Sequence, residues 1–534
     1  MATMRRKKSR PDGARLSIAA TLEERHAPVL ATSTWLATAA AVSLTLASPA
    51  WAQKVEMEPW VTARVTASDN AGLGFATSGR DLITDITGGL RVRTEGARTS
   101  LVGSVALRSF IYANNTQGND IIPEVDLTGR WSAVERFFFI EAAARTTQAY
   151  IDPFAPGLTD TSTDNNATIT QYRLSPFIES QPGPNLHFRA RSDNAKTKDY
   201  GQESAAFGAI DSSYFGLHRI SLERDPVPLG WRLEAERSET QYQGEFVPLI
   251  TDIARALVNV AVVDTFRVGL RVGVERDNFL TDPGWHSIYG GQLSWRPSER
   301  TVLDFDAEKR FFGNGVHLTF THRMPWLTWD LRASRDLDTA ASALFELGPT
   351  NNVAALLDSI LTTRIPDPAQ RASQVQDIIS RQGLPASTSK VIPILAPRLS
   401  VVENVSLGAT YLGTRNTLAV TMGATRTRDA VEEGPLATDS VLTNNLQKVV
   451  TLAYTLRMTP TTTAGLTVSY GRIDSLDTAT TAGTTKDGNV RAHMAVQVTP
   501  KATALFGAQQ RKLVSNVSPS GHETLVFAAI DQRF

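Results

Sequence analysis

Asp304, Asp306, Glu308 and Arg310 occupy every second position of one short stretch, with Leu303, Phe305 and Ala307 in between. Ionisable groups spaced by two share one face of an extended strand. The spacing recurs in Arg267, Arg271 and Glu275, set against Val268, Leu270, Val272 and Val274. It recurs again in Asp330 and Arg332, set against Trp329, Leu331 and Ala333, and in a run where Val316, Leu318 and Phe320 alternate with His317, Thr319, Thr321 and, further on, Arg323. Carboxylates and guanidinium groups held in this way can pair across neighbouring strands. They can also hydrogen-bond a passing sugar or set the ion selectivity of a water-filled path. The ten residues Arg267, Arg271, Glu275, Asp304, Asp306, Glu308, Arg310, Arg323, Asp330 and Arg332 are therefore the candidate lining of a pore lumen.

Other chemistry finds little footing. His187, His218, His286, His317, His322, His493 and His522 are scattered, and His317 and His322, five apart, fall on opposite faces of a strand, so they cannot converge on a metal. The chain has no cysteine, which excludes disulfides, thiolate metal sites, a thiol nucleophile and a lipoprotein anchor. Neither G-x-S-x-G nor H-E-x-x-H occurs. Gly72-Leu73-Gly74 lies in a loop without the strand and helix of a dinucleotide fold. The expectation is a protein that is not an enzyme and carries no metal and no cofactor.

The charged face needs elements to hold it. Runs of about ten residues, one face apolar and the other polar, have the length at which a tilted strand crosses a bilayer. They begin near Val61 and continue through 82–94, 99–112, 121–131, 137–148, 168–179, 186–194, 212–224, 230–240 and 267–277. Short connectors (95–98, 132–136, 297–300, 324–326) alternate with long ones rich in Gly, Asp, Asn and Thr (148–167, 194–210). This asymmetry is that of outer-membrane barrels, whose turns are short on the periplasmic side. The fold class expected is all-β, a transmembrane antiparallel up-and-down β-barrel of about 22 strands, within a range of 18 to 22. In lipid every backbone polar group must be bonded internally, so such strands must close into a barrel. The final run ends on Phe534, a C-terminal aromatic of the kind that the barrel-insertion machinery reads, although Gln532 is polar where an apolar residue is usual.

The N-terminus carries Arg5, Arg6, Lys7, Lys8 and Arg10, a short apolar run at 35–47 and Ala50-Trp51-Ala52, which together read as a cleaved signal peptide over 1–52. The barrel would then occupy 53–534, in the outer membrane of a Gram-negative cell and in contact with its lipids. Lys+Arg and Asp+Glu number 54 each. No basic excess points to nucleic acid.

Over 337–397 the alternation stops. Val353, Leu356, Leu357, Ile360 and Leu361 recur at helical spacing after possible caps at Thr350, Asn351 and Asn352, and a second helix starts at Pro368 behind Asp367, carries Val375, Ile378 and Ile379, and stops at Gly383. These helices belong to an extracellular loop insert, either a decoration on the rim or a lid or plug over or into the mouth.

Trp60 to Asn70, Trp295 to Gly313 and the insert from Leu356 to Pro385 resemble the outer membrane proteins associated with PEP-CTERM/exosortase systems, with a small departure at Ala67-Ser68 before the Asp69-Asn70 pair. The resemblance runs from Trp60 to Phe534. It implies an outer-membrane barrel serving exopolysaccharide export or extracellular-matrix assembly, with the exopolysaccharide or its export machinery as partner. A general diffusion porin and a non-conducting docking barrel are the alternatives.

Overall fold

The computed structural model describes residues 54–534 apart from 74–78, 151–153, 155–164, 200–211, 244–246, 280–283, 347–352, 363, 383–398, 431–443 and 477–482. The expected signal peptide, the expected caps at 350–352, Gly74 and the expected helix stop at Gly383 lie outside the described residues.

Twenty-two antiparallel strands, each paired with the next in the chain, run from β1 (Lys54–Ala71) to β22 (Gly521–Arg533). The ring closes where β1 pairs with β22, from Trp60 opposite Arg533 to Ser68 opposite Leu525. Closure leaves no free edge, so every strand satisfies its backbone donors and acceptors within the wall. Connectors at the end bearing both strand termini, here the turn end, are two to four residues long. The other, loop end carries all the long ones. Among the described residues no helix is long and apolar enough to cross a membrane. The strands do so instead. On β11 (Phe266–Asp277) Leu270 and Val272 point outward, 76% and 61% exposed, while Gly269, Arg271 and Glu275 turn inward. Val61, Val65, Ile86, Phe305, Val405 and Phe506 continue this exposed apolar belt around the ring. A wall apolar outside and charged inside fits a bilayer outside and water inside.

β13 (Thr301–Arg310) has the expected ten residues, and the other strands are longer, up to eighteen in β1. β7 (Leu186–Asp199) continues past Asn194 into a stretch read from sequence as loop. There Lys196, Thr197 and Lys198 are polar on both faces, so no alternation marks a strand, yet the ladder to β8 (Ser212–Arg224) goes on through Lys198 opposite Ser212. Strand ends beyond the lipid belt obey hydrogen bonding and not patterning.

Among the described residues three helices, not two, interrupt the meander between β15 (Leu327–Thr339) and β16 (Leu399–Leu412): α1 (Ala340–Glu346), α2 (Val353–Leu361) and α3 (Pro368–Gln382). α1 grows directly out of β15. Thr339 Oγ1 accepts from the Ser342 amide at 3.1 Å, which caps its first turn.

Candidate functional site

The inward face of β9 (Leu229–Tyr242), β10 (Leu249–Val263), β11, β12 (Trp285–Ser298), β13, β14 (Gly313–Arg323) and β15 carries one continuous ion-pair ladder. Arg255 forks onto Glu308 at 2.7 and 3.1 Å and reaches Glu234 at 3.4 Å. Arg271 bonds Asp306 at 2.8 Å and Glu308 at 3.0 Å. Arg310 bonds Glu275 at 2.8 Å and Asp336 at 2.9 Å, and the Phe311 amide donates to Glu275 at 2.9 Å. His317 meets Asp336 at 3.2 Å, where the inward ladder ends; Arg335, on the outward parity of β15 with Trp329, pairs separately with Glu403 of β16 at 3.1 Å. Glu275 and Arg310 are almost fully buried in this net. Charges withdrawn from water in this way need several partners each, and planar guanidinium groups bridging successive carboxylates supply them.

All ten candidate lumen residues lie on these strands, in different states. Arg271, Glu275, Asp306, Glu308 and Arg310 form the core of the net. Asp330 pairs with Arg332 at 2.9 Å and accepts from Thr321 at 3.0 Å. Asp304 accepts from Ser294 at 2.6 Å and is 3.6 Å from Arg296. Arg323 is drawn to the turn end, where it donates to the Glu299 carbonyl. Arg267 is exposed near that end and has no polar partner among the described residues. Sequence reasoning missed Arg255 and Asp336. On β10 the inward face also carries Ile253 and Leu257, which blurs the alternation around Arg255, and Asp336 sits just before the point where the alternation stops.

The insert does not stay at the rim. α1 crosses the loop end from β15 toward β7–β10: Phe345 packs on Phe215 with ring centroids 5.2 Å apart, Ala341 is buried with Tyr242 and Leu249, and Thr339 meets Thr240 at 3.3 Å. α2 and α3 lie inside the wall and reach the turn end. Val353, Leu357, Leu361, Val375 and Ile379 form one cluster with the inward Ala419 and Ala453, and Ile378 and Leu412 pack at its edge. Leu356 and Ile360 are buried beside it. Ser359 meets Thr328 at 3.2 Å, close to the turn 324–326. In that turn the Trp326 ring carries Arg364 at 4.6 Å. Asp377 of α3 accepts from Arg533 on the last strand at 2.9 Å, and Arg371 ties α3 to Asp358 of α2 at 2.7 Å.

The wall is shaped for this load. Toward the turn end, where the helices sit, the inward positions from β15 to β18 (Asn445–Arg457) are small, Thr328, Gly408, Thr410, Ala419, Thr421, Ala453 and Thr455, and all are buried. A Cβ on Gly408 would stand 3.0 Å from the Leu356 side chain. The lumen is thus unlike on its two sides, small and covered by helix on one, charged and partly open to water on the other, where Arg130, Arg189, Arg219 and Arg332 are 41–53% exposed.

No family model matches the chain, and no curated protein matches it. Among solved structures it is similar to the outer membrane protein OpdK from Pseudomonas aeruginosa (10% identity over 90% of this chain and 99% of that one, TM-score 0.34). It is also similar to the siderophore receptor PirA from Acinetobacter baumannii (9% identity, 90% and 80% covered, TM-score 0.45) and to the FrpB iron transporter from Neisseria meningitidis, F3-3 variant (7% identity, 89% and 81% covered, TM-score 0.46). At these values the comparisons assign the chain neither a family nor a substrate.

Proposed function

We propose that this chain is a non-enzymatic transport barrel of the Gram-negative outer membrane, closed at rest by its own helical insert, and that it serves export of an exopolysaccharide or assembly of extracellular matrix. The observation that carries the reading is the seat of α2 and α3. Their apolar faces are buried against small inward residues of the wall, and the rest of the lumen keeps a charged, water-accessible face. A wall built only for rigidity has no use for a recess fitted to a loop from the opposite end. Alternating carboxylates and arginines supply donors and acceptors in register, which suits a polyhydroxylated chain sliding past. The sequence resemblance to exosortase-associated proteins supplies the cellular context, and the barrel-insertion machinery and outer-membrane lipids are the partners that assembly requires.

The deciding test is single-channel conductance of the refolded protein in planar bilayers, beside a variant with residues 344–384 replaced by a short Gly/Ser loop. A quiet wild type and a large steady conductance in the variant are expected. If both conduct alike, the insert does not close the pore and the chain is a general diffusion porin. If both are silent while folded, the barrel is a docking scaffold and transport falls.

A further inference from the structure

Half a ring away from the helix seat, the inward face of β4 (Asp120–Val134), β5 (Phe138–Tyr150), β6 (Asn166–Gly183) and β7 holds a cluster that the ladder does not include. Phe139 and Phe177 sit opposite each other across β5 and β6 and stack, centroids 5.0 Å apart and planes 19° apart. Three guanidinium groups surround the pair. Arg130 lies 4.6 Å from one ring and 5.3 Å from the other, Arg191 lies 5.0 Å from Phe177, and Arg189 lies 5.9 Å from it.

The three arginines are not equivalent. Arg191 is saturated, with Asp193 at 2.9 Å and Glu141 at 2.8 Å, and is the pillar of the cluster. Arg130 and Arg189 are 48% and 53% exposed in their side chains. Arg130 comes no nearer to Glu141 than 3.9 Å, and Arg189 stands 3.3 Å from a half-exposed Glu179. Neither makes a hydrogen bond among the described residues. A guanidinium laid against a ring has its face covered while its N–H donors, all in its own plane, stay available. Two such groups beside an apolar surface match a ligand that is anionic at one point and apolar on one face. A bidentate carboxylate meets the first requirement. The C–H face of a pyranose ring meets the second.

We infer that this cluster is a binding site for an acidic sugar, a hexuronate unit of a polysaccharide chain, with Arg130 and Arg189 holding the carboxylate and Phe139 the ring. The anionic part of the assignment comes from the geometry; the sugar part rests on the export reading proposed above. The cluster lies near the turn end, a few residues beyond the connectors 135–137 and 184–185. On that reading this is the periplasmic mouth, where a chain leaving the cell enters. It is also the side of the lumen that the helices leave uncovered, so the site is occupied before the barrel opens.

Isothermal titration of the folded barrel in detergent tests this, using oligogalacturonate and, as the uncharged probe, maltohexaose. The wild type is expected to bind oligogalacturonate and not maltohexaose, more weakly as salt is raised. The double variant Arg130→Gln, Arg189→Gln is expected to lose at least about tenfold in affinity. Arg300→Gln, which removes an exposed arginine of the turn 299–300 without a ring beside it, is expected to leave affinity unchanged, and Phe139→Leu to weaken oligogalacturonate but not acetate. Heat-modifiable migration on gels confirms that each variant is folded. Equal affinity in the double variant, equal binding of maltohexaose, or no heat from oligogalacturonate each overturns the site. Binding at equilibrium needs no conduction, so a silent bilayer counts against transport and not against this assignment.

Discussion

At the scale of single residues, neighbours in the chain live in different solvents. Leu270 and Arg271 are adjacent, yet one faces lipid and the other bonds two carboxylates in the lumen. Leu270→Arg places a cation in hydrocarbon and is expected to cost about 2–4 kcal/mol near the midplane. Arg271→Leu is expected to assemble normally, because Glu308 keeps Arg255 and Arg310. Urea titration of the two variants in liposomes, read by heat-modifiable migration, checks the pair; equal stability would contradict the assigned faces. This much was legible in the sequence, since alternate positions of a strand must face opposite ways. Which arginine meets which carboxylate was not. Arg271 reaches two strands away to Asp306 and Glu308 across Gly290 of β12, and that follows from register and the absence of a side chain at that position.

At the scale of elements, the helices carry their own lesson. The spacing of Val353, Leu356, Leu357, Ile360 and Leu361 marks an amphipathic helix and says that its apolar face is covered. It does not say by what. The cover is the small-residue stripe at the turn end of β15–β18, a contact that no local period marks. Gly408→Phe fills the space of the Leu356 side chain without touching the lipid face. The substitution is expected to unseat α2, raise bilayer conductance and expose Arg371 to trypsin at a rate at least about tenfold above wild type. A variant as quiet and as resistant as the wild type would show that the seat does not hold the insert. α1 escaped the sequence reading because seven residues, two turns of helix, are too few to display a period.

At the scale of the whole molecule, the ring has two halves with different work. Small inward residues gather on β15–β18 and charged ones around the rest of the ring, Arg108 with Asp85 and Arg511 with Asp487 among them, and carboxylates and arginines pair closely enough to cancel. The form lacking residues 344–384 is therefore expected to pass small cations and anions with little preference, as read from the reversal potential under a salt gradient; strong selectivity for either sign would mean that the paired charges do not line the open path. The amino-acid sequence by itself determined the fold class, the two faces of each strand, the closure into a barrel and the presence of helices with something to bury. It did so because strand and helix periods are local and lipid tolerates no unpaired backbone. Only the tertiary structure decided where those helices go, which charges pair and which arginines stay open beside Phe139 and Phe177. Those facts depend on contacts between residues far apart in the chain, such as Asp377 with Arg533 and Arg130 with Phe177, and these are set by strand register around a closed ring, which no local pattern encodes.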